Sequence, residues 1–576
     1  MIRRREFAAL LGASGILPAQ GRIKPNVILI MTDDQGFGDL SLHGNTRLKT
    51  PNLDRLAAEA VEFTRFTVSS VCAPTRASLL TGRYALRCGV HGVTGGRETM
   101  RHNEVTVARV LQSAGYRTAL FGKWHLGENY PNVPHASGFD EFVGFRPGHW
   151  NRYFDSPCER NGKPSQLKGY VSDALTDEVI SFAERHRAQP FFLYLAYNAP
   201  HSPYQAPDRY FDRHKNLGDQ ELAAIHAMVE NLDDNVGRLM ARLDELKLRE
   251  NTIVMFLCDN GPQTPRYVAG LRGRKGAVYE GGTRAPFFLR WPGHAEAGRK
   301  VDRVATHIDV FPTLLDLCGV AGAAGAPRVD GVSLKPLLMP GAGAQAWPAR
   351  IVFSHADHQP DPTKEFPGSA CEQRWKMVNG AELYDLDADP GESKNVAAEY
   401  PAELARLNRA YREWFASITA GFTPGASPVP VGYWEENPAV LNAPHARLSN
   451  GAVFFARNGF ANDFIKGWDA PGARASWRIE VVAGGRYEVW AQLLAGTPDL
   501  LVSVAIGDES LEARTSQSDS LEPNALPERA PHNSAAPDMT WSRLRLGRLP
   551  LEPGVKEIVV EGRMTYLKAL ELRRIR

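Results

Sequence analysis

The sequence predicts an α/β protein with a mixed, mostly parallel central sheet flanked by helices, then a small α+β unit, then an appended β-sandwich. Three observations carry this. Apolar strand-length runs at 26–31, 118–121, 190–197 and 252–257 are interleaved with helical segments, and each ends in a polar cluster. A Gly/Ala/Pro-rich stretch at 320–350 and a Pro/Gly-rich one at 421–430 divide the chain. Beyond the second, short apolar runs at 477–482, 486–493, 501–506, 541–546 and 556–561 follow one another without helices. The expected units are a leader at 1–20, an α/β unit at 22–345, an α+β unit at 350–420 and a sandwich at 431–576.

Taken in order, the first residues stand apart. Arg3, Arg4 and Arg5 precede an apolar run at 7–17 and then Pro18-Ala19-Gln20, the layout of an export signal. The order Arg4-Arg5-Glu6-Phe7 is that of a twin-arginine signal, which implies export to a bacterial periplasm. No later segment is long and apolar enough to span a bilayer. Over 576 residues the formal net charge is only +2, which gives no reason to expect nucleic acid or a membrane surface as the main partner. The six cysteines show no C-x-x-C spacing and define no disulfide framework.

The run at 26–31 suits a strand buried on both faces, and Asp33-Asp34 follows it. A helix then opens at Pro51 with Thr50 as its cap; Leu53, Leu56, Ala57 and Ala60 make one face, so its role is packing. In SSVCAPTRASLLTGRY, at 69–84, Pro74 fits a first helical position and Gly82 a stop, which leaves Cys72 just ahead of unpaired backbone donors. By itself Cys72 is a buried small hydrophobe, half of a disulfide, or a reactive group at an electropositive helix start.

An amphipathic segment at 105–114 leads to the strand at 118–121 and on to GKWHLG, with Lys123 and His125. A helix at 171–186 precedes the strand at 190–197, and His201 lies in the loop beyond. A long helix at 219–246 precedes the strand at 252–257, which ends in Asp259-Asn260; Lys275 lies in the following loop, before a strand at 287–291. If these strands are parallel in one sheet, their polar ends gather on one edge, where open α/β sheets bind ligands. His307 and Asp309 read as core or capping residues, with a reach toward the strand ends the alternative. The smaller unit has strands at 351–354 and 374–378 and a helix at 401–418; its polar loop at 355–361 reads as solvated, with a cleft wall the alternative. Trp468, Trp477 and Trp490 read as sandwich core.

CAPTR with the trailing LTGR, GKWHLG, and ELYDLDADPGESKNVA at 382–397 together resemble the type I, formylglycine-dependent sulfatases, arylsulfatase-like members of the alkaline phosphatase superfamily, over roughly 24–417. The resemblance implies an alkaline-phosphatase-like fold and hydrolysis of a sulfate monoester, on an aryl sulfate or a sulfated carbohydrate. Cys72 would be oxidised to formylglycine by a maturation enzyme. Asp33, Asp34, Asp259, Asn260 and the modified Cys72 would hold one Ca²⁺ in preference to Mg²⁺, and the acids and amide are hard oxygen donors suited to either.

By the same resemblance, one hydroxyl of the hydrated formylglycine attacks sulfur and Arg76 fixes the modified residue. Lys123, Lys275 and His201 bind the substrate, the lysines by neutralising sulfate oxygens. His201 protonates the departing alcohol, and His125 takes the proton from the second hydroxyl so that sulfate is expelled. The sandwich is similar to carbohydrate-binding jelly-roll modules, which favours a sulfated polysaccharide. Two rival readings are a formylglycine-dependent phosphonate or phosphate monoester hydrolase, and an inactive homologue that binds carbohydrate. Arg87, His91, Trp150, Arg152, Tyr204 and Arg374 are weaker pocket candidates.

Overall fold

All seven residues of the strand Asn26–Thr32 are buried, as its apolar run requires of a strand covered on both faces. In the computed structural model, which describes residues 24–339, 347–356, 358, 361–456, 459–525 and 536–576, this strand is central to a ten-stranded sheet. The leader expected at 1–20 lies outside the described residues. Asn26–Thr32 pairs in parallel with Phe191–Ala196 on one side and Thr252–Cys258 on the other; Arg117–Lys123 pairs in parallel with Phe191–Ala196. Antiparallel strands extend the flanks, Phe287–Arg290 against Thr252–Cys258 and Pro157–Arg160 against Glu141–Phe145. The sheet is mixed and mostly parallel at its centre.

The register brings the four central strand ends level. Thr32 stands opposite Cys258, Met31 opposite Ala196, and Gly122 also opposite Ala196. Asp33, Lys123 and Asp259 therefore come out along one edge, and the His201 loop leaves from it too. Gly122 is needed there: at φ +112°, a Cβ on it would lie 1.9 Å from the Ala196 carbonyl oxygen.

Alternation along the strands sorts side chains into two cores. Val27, Leu29 and Met31 join Ala73, Ala77, Leu79 and Leu80 of the helix Cys72–Thr81, together with Leu314 and Leu317 of Val310–Cys318. Ile28 and Ile30 face the helices Val171–His186 and Gln220–Glu245, through residues such as Leu175, Val179, Ile225 and Leu232. The helix Cys72–Thr81 is buried at every position and begins at Cys72, two residues earlier than Pro74 led us to expect. Proline is tolerated there because amides of the first turn have no intrahelical partner. Gly82 ends the helix in the left-handed conformation, at φ +70°.

The smaller unit is a four-stranded antiparallel sheet, Val352–His355, Gly368–Cys371, Trp375–Val378 and Glu382–Asp385, covered by the helix Pro401–Thr419. The last portion is two six-stranded sheets around one apolar core. Strands at Ala439–Asn442, Glu509–Arg514 and Tyr566–Ile575 join those expected. Trp468 and Trp477 are buried in that core, but Trp490 is only half-buried and lies beneath the Arg543 guanidinium at 5.0 Å, so the reading of Trp490 as core is corrected. The sandwich is joined to the α/β unit by a polar seam. The Asn129 side chain accepts from the Val440 amide at 3.1 Å, and His445 contacts Glu98 at 3.1 Å and Glu128 at 3.5 Å. Among the described residues, no helix is long and apolar enough to cross a membrane.

Candidate active site

The ten residues given catalytic or metal-holding roles by the resemblance converge on the carboxyl edge of the central sheet. Lys123 Nζ donates to Asp33 at 2.6 Å, Arg76 to Asp259 at 2.8 Å, and Lys275 to Asp34 at 2.5 Å. Asn260 Nδ2 donates to Asp34 at 2.7 Å, and His201 Nε2 lies 3.7 Å from Asp34. One ligand atom each from Asp33, Cys72 and Asp259 lies within 4.8 Å of the others, and the same holds for Asp33, Asp34 and His201. His125 lines a cavity of about 250 Å³ together with Cys72, His201 and Lys275.

Each position follows from an element. Asp33, Lys123 and Asp259 stand at strand ends; Cys72 and Arg76 share the first turns of one helix. Thr75 Oγ1 of that helix donates to the Asp259 carbonyl at 2.7 Å, which ties the helix start to the strand end. Asp34 and His125 hold left-handed backbone, at φ 63° and 58°, a conformation costly for residues with a Cβ and typical of functional sites.

Three carboxylates, Asp33, Asp34 and Asp259, face three cations, Arg76, Lys123 and Lys275, so the site is balanced in charge by itself. Burial alone would raise the Asp34 carboxyl, but Lys275 and His201 hold it well below its ordinary range. Asp259, buried and beside Asp33, is pushed up to about 6. Burial pushes the Cys72 thiol up against the pull of Lys123 and Lys275. Burial lowers His201 to about 3, with Asp34 opposing, and burial together with Lys123 lowers His125 well below its usual value.

Hydrogen bonds fix both imidazole tautomers, because a carbonyl only accepts. His125 Nε2 donates to the Val93 carbonyl at 2.9 Å, which leaves Nδ1 as the basic nitrogen, buried without a partner. His201 Nδ1 donates to the Ser202 carbonyl at 2.6 Å, so its Nε2 faces the acidic cluster.

Asp33 Oδ1, Asp34 Oδ2 and Asn260 Oδ1 are buried and lack hydrogen-bond partners. Unpaired buried oxygens are costly, and their gathering here suits a hard divalent cation such as Ca²⁺ or Mg²⁺. The residues present therefore fit such an ion.

The six weaker pocket candidates do not line this cavity. Arg87 binds Ser417, Arg374 binds Asp385, Trp150 packs on Phe145, Arg152 donates to the Phe154 carbonyl, His91 packs against Phe422 and Tyr204 is core. His307 and Asp309 serve as expected: His307 contacts the Thr67 carbonyl and Ser69, and Asp309 closes a capping box with Thr306. The sequence reading missed His149, whose ring lies 5.6 Å from that of His201, along with Gly148, Gln263 and five sandwich residues. His149 follows an ordinary strand and lies in no motif, so only folding reveals it.

A family model described as Sulfatase matches residues 25–320, and a second, N-sulphoglucosamine sulphohydrolase C-terminal, matches 274–412. Arylsulfatase A of Homo sapiens is 33% identical over 495 residues, which cover 73% of this chain and 93% of the relative. N-acetylgalactosamine-6-sulfatase of Sus scrofa is 32% identical over 375 residues, covering 59% of this chain and 70% of the relative. The crystal structure of Ps i-CgsB in complex with k-i-k-neocarrahexaose matches with a TM-score of 0.62 at 29% identity, over 68% of this chain and 93% of that one.

Proposed function

This chain belongs to the sulfatase family, a sulfuric ester hydrolase by descent, and on that footing we propose that it cleaves a sulfate monoester on a sulfated carbohydrate, using formylglycine made from Cys72 and a bound Ca²⁺. The observation that carries this reading is the meeting of unpartnered Asp33, Asp34 and Asn260 oxygens with Cys72 and two lysines in one buried site. The complex of Ps i-CgsB with an oligosaccharide supports the substrate class.

Asp33, Asp34, Asp259 and Asn260 would hold the cation, whose charge would offset that of the sulfate ester. Formylglycine would supply a hydrated carbonyl whose oxygen attacks sulfur. Arg76, anchored on Asp259, orients the side chain at position 72. Lys123 and Lys275, which pair with Asp33 and Asp34, would neutralise sulfate oxygens. His201 holds its Nε2 toward the leaving oxygen; an anionic ester beside it favours the protonated ring and so offsets the effect of burial. His125 takes a proton at Nδ1, its one open nitrogen.

We assign 22–345 to the catalytic unit, 350–420 to a C-terminal subdomain and 431–576 to a carbohydrate-handling sandwich. The layout of residues 1–20 supports export to a bacterial periplasm, and a formylglycine-generating enzyme is the required partner. N-terminal sequencing of periplasmic protein tests the first of these.

The deciding experiment uses protein made alongside a formylglycine-generating enzyme and assayed on aryl sulfate, aryl phosphate and sulfated saccharides. Sulfate release, with a carbonyl at position 72 by peptide mass, is the expected result. Faster phosphate release would transfer the assignment to the phosphate or phosphonate monoesterases. An intact thiol with glycan binding alone would make the chain an inactive homologue.

A further inference from the structure

The catalytic cavity is not walled by the α/β unit alone. Ala456, Phe460, Ala461, Asp463 and Ala536, all from the sandwich, line it together with Cys72, His201 and Lys275. Phe460 is 45% exposed and belongs to neither apolar core cluster of the sandwich. Folding does not need a large apolar ring in that position, and leaving it in water forgoes burial.

The described residues around it are nonetheless anchored. The Asp463 carboxylate accepts from the amides of Ala456, Gly459 and Phe464 at 3.2, 3.2 and 2.8 Å. The half-buried Lys568 ammonium donates to the Asn462 carbonyl at 2.7 Å. From the other side, Thr94 donates to the Gly459 carbonyl and Asn462 to the His149 carbonyl, each at 2.5 Å. Phe460 is thus an exposed aromatic between anchored neighbours, Gly459 and Asn462–Phe464, which are tied to both halves of the molecule, and it lines the cavity that ends at Cys72. Pre-ordering lowers the entropy lost when a ligand packs against the ring.

We propose that Phe460 is a specificity-determining residue: its ring is the surface on which the sulfate-bearing pyranose rests. The α/β unit binds the sulfate, and the sandwich reads the alcohol half of the same substrate inside the active site. A pyranose offers a face of C–H groups that packs on an aromatic ring, and its hydroxyls can meet the polar side chains of His149 and Gln263 on the same cavity. The inference rests on the sulfatase reading and adds the substrate class that the cavity takes.

The test compares full-length, cofactor-loaded wild type with F460A and F460W. Substrates are galactose-6-sulfate, N-acetylgalactosamine-6-sulfate and glucosamine-6-sulfate, with inorganic sulfate as a ringless inhibitor. For the saccharide cleaved best, F460A should raise KM about tenfold, the scale of one lost ring contact, with the loss in KM rather than kcat. F460W should restore it, and the inhibition constant of inorganic sulfate should not follow the KM change. The inference is overturned if KM in F460A stays within about twofold of wild type, or if sulfate inhibition weakens by the same factor, which would mean a damaged anion site. Wild type that cleaves aryl sulfate but none of these saccharides also overturns it and leaves the sulfatase activity standing; cleavage of no sulfate ester at all removes the proposed function itself.

Discussion

His125 gives its Nε2 hydrogen to the Val93 carbonyl at 2.9 Å, so the unpartnered, basic nitrogen of that ring is Nδ1. Gly148 makes room for this arrangement: a Cβ there would lie 2.7 Å from His125 Nε2. Gly148→Ala should push the ring off its carbonyl and lower kcat by about tenfold or more, some 1.4 kcal/mol of barrier, with a much smaller change in KM. Steady-state kinetics checks this, and an unchanged kcat would mean that the ring orientation does not matter.

Chelation should remove turnover while leaving the fold. Asp33, Asp34 and Asp259 already face Lys123, Lys275 and Arg76, so loss of the cation leaves those carboxylates paired. Far-UV circular dichroism should be retained in excess chelator, with activity lost and then recovered on adding Ca²⁺. Full turnover in metal-free protein would contradict the assignment.

Cys72→Ser should stop after one event. A serine hydroxyl can attack sulfur, but no second hydroxyl remains to expel the sulfate, so a stable sulfo-serine should accumulate to one per chain by intact mass. Steady turnover by a variant whose serine is unoxidised would contradict the mechanism.

The seam between α/β unit and sandwich should weaken at alkaline pH. Burial alone would lower His445, but Glu128 and Glu98 overcome it and push its pKa up to about 10. A free imidazole titrates near 6.5, so the folded state holds an extra proton between these values. The resulting stability is complete below about pH 6.5 and is lost as pH rises through about 10. The thermal midpoint of wild type should fall across this window, and His445→Gln should lose that part of the slope; parallel curves would show that the triad does not matter.

How much of this was legible in the sequence depended on distance along the chain. The strand at 26–31 was legible because an unbroken apolar run must be buried on both faces, but the acids after it, taken alone, read equally as a turn. Only the recurrence of a polar cluster after each apolar run, with the resemblance, marked Asp33, Asp34, Lys123, His201, Asp259 and Asn260 as one site. That their strands are parallel and level was a condition the sequence reading had to assume; pairing is a property of the folded sheet. Phe460 was invisible for a related reason. It lies far along the chain in a portion read as a separate sandwich, and only the seam brings it to Cys72. The left-handed backbone at Asp34 and His125 likewise left no trace, since neither residue is glycine.

The match of Thr32 with Cys258 and of Met31 and Gly122 with Ala196 limits how the gene can change length. Losing or gaining one codon inside any of these four segments would swing every later side chain in it to the opposite layer and pull its chemical group out of line with the other three. Insertions and deletions should therefore be confined to the connecting loops, and a scan of single-codon deletions should find these segments among the least tolerant in the protein.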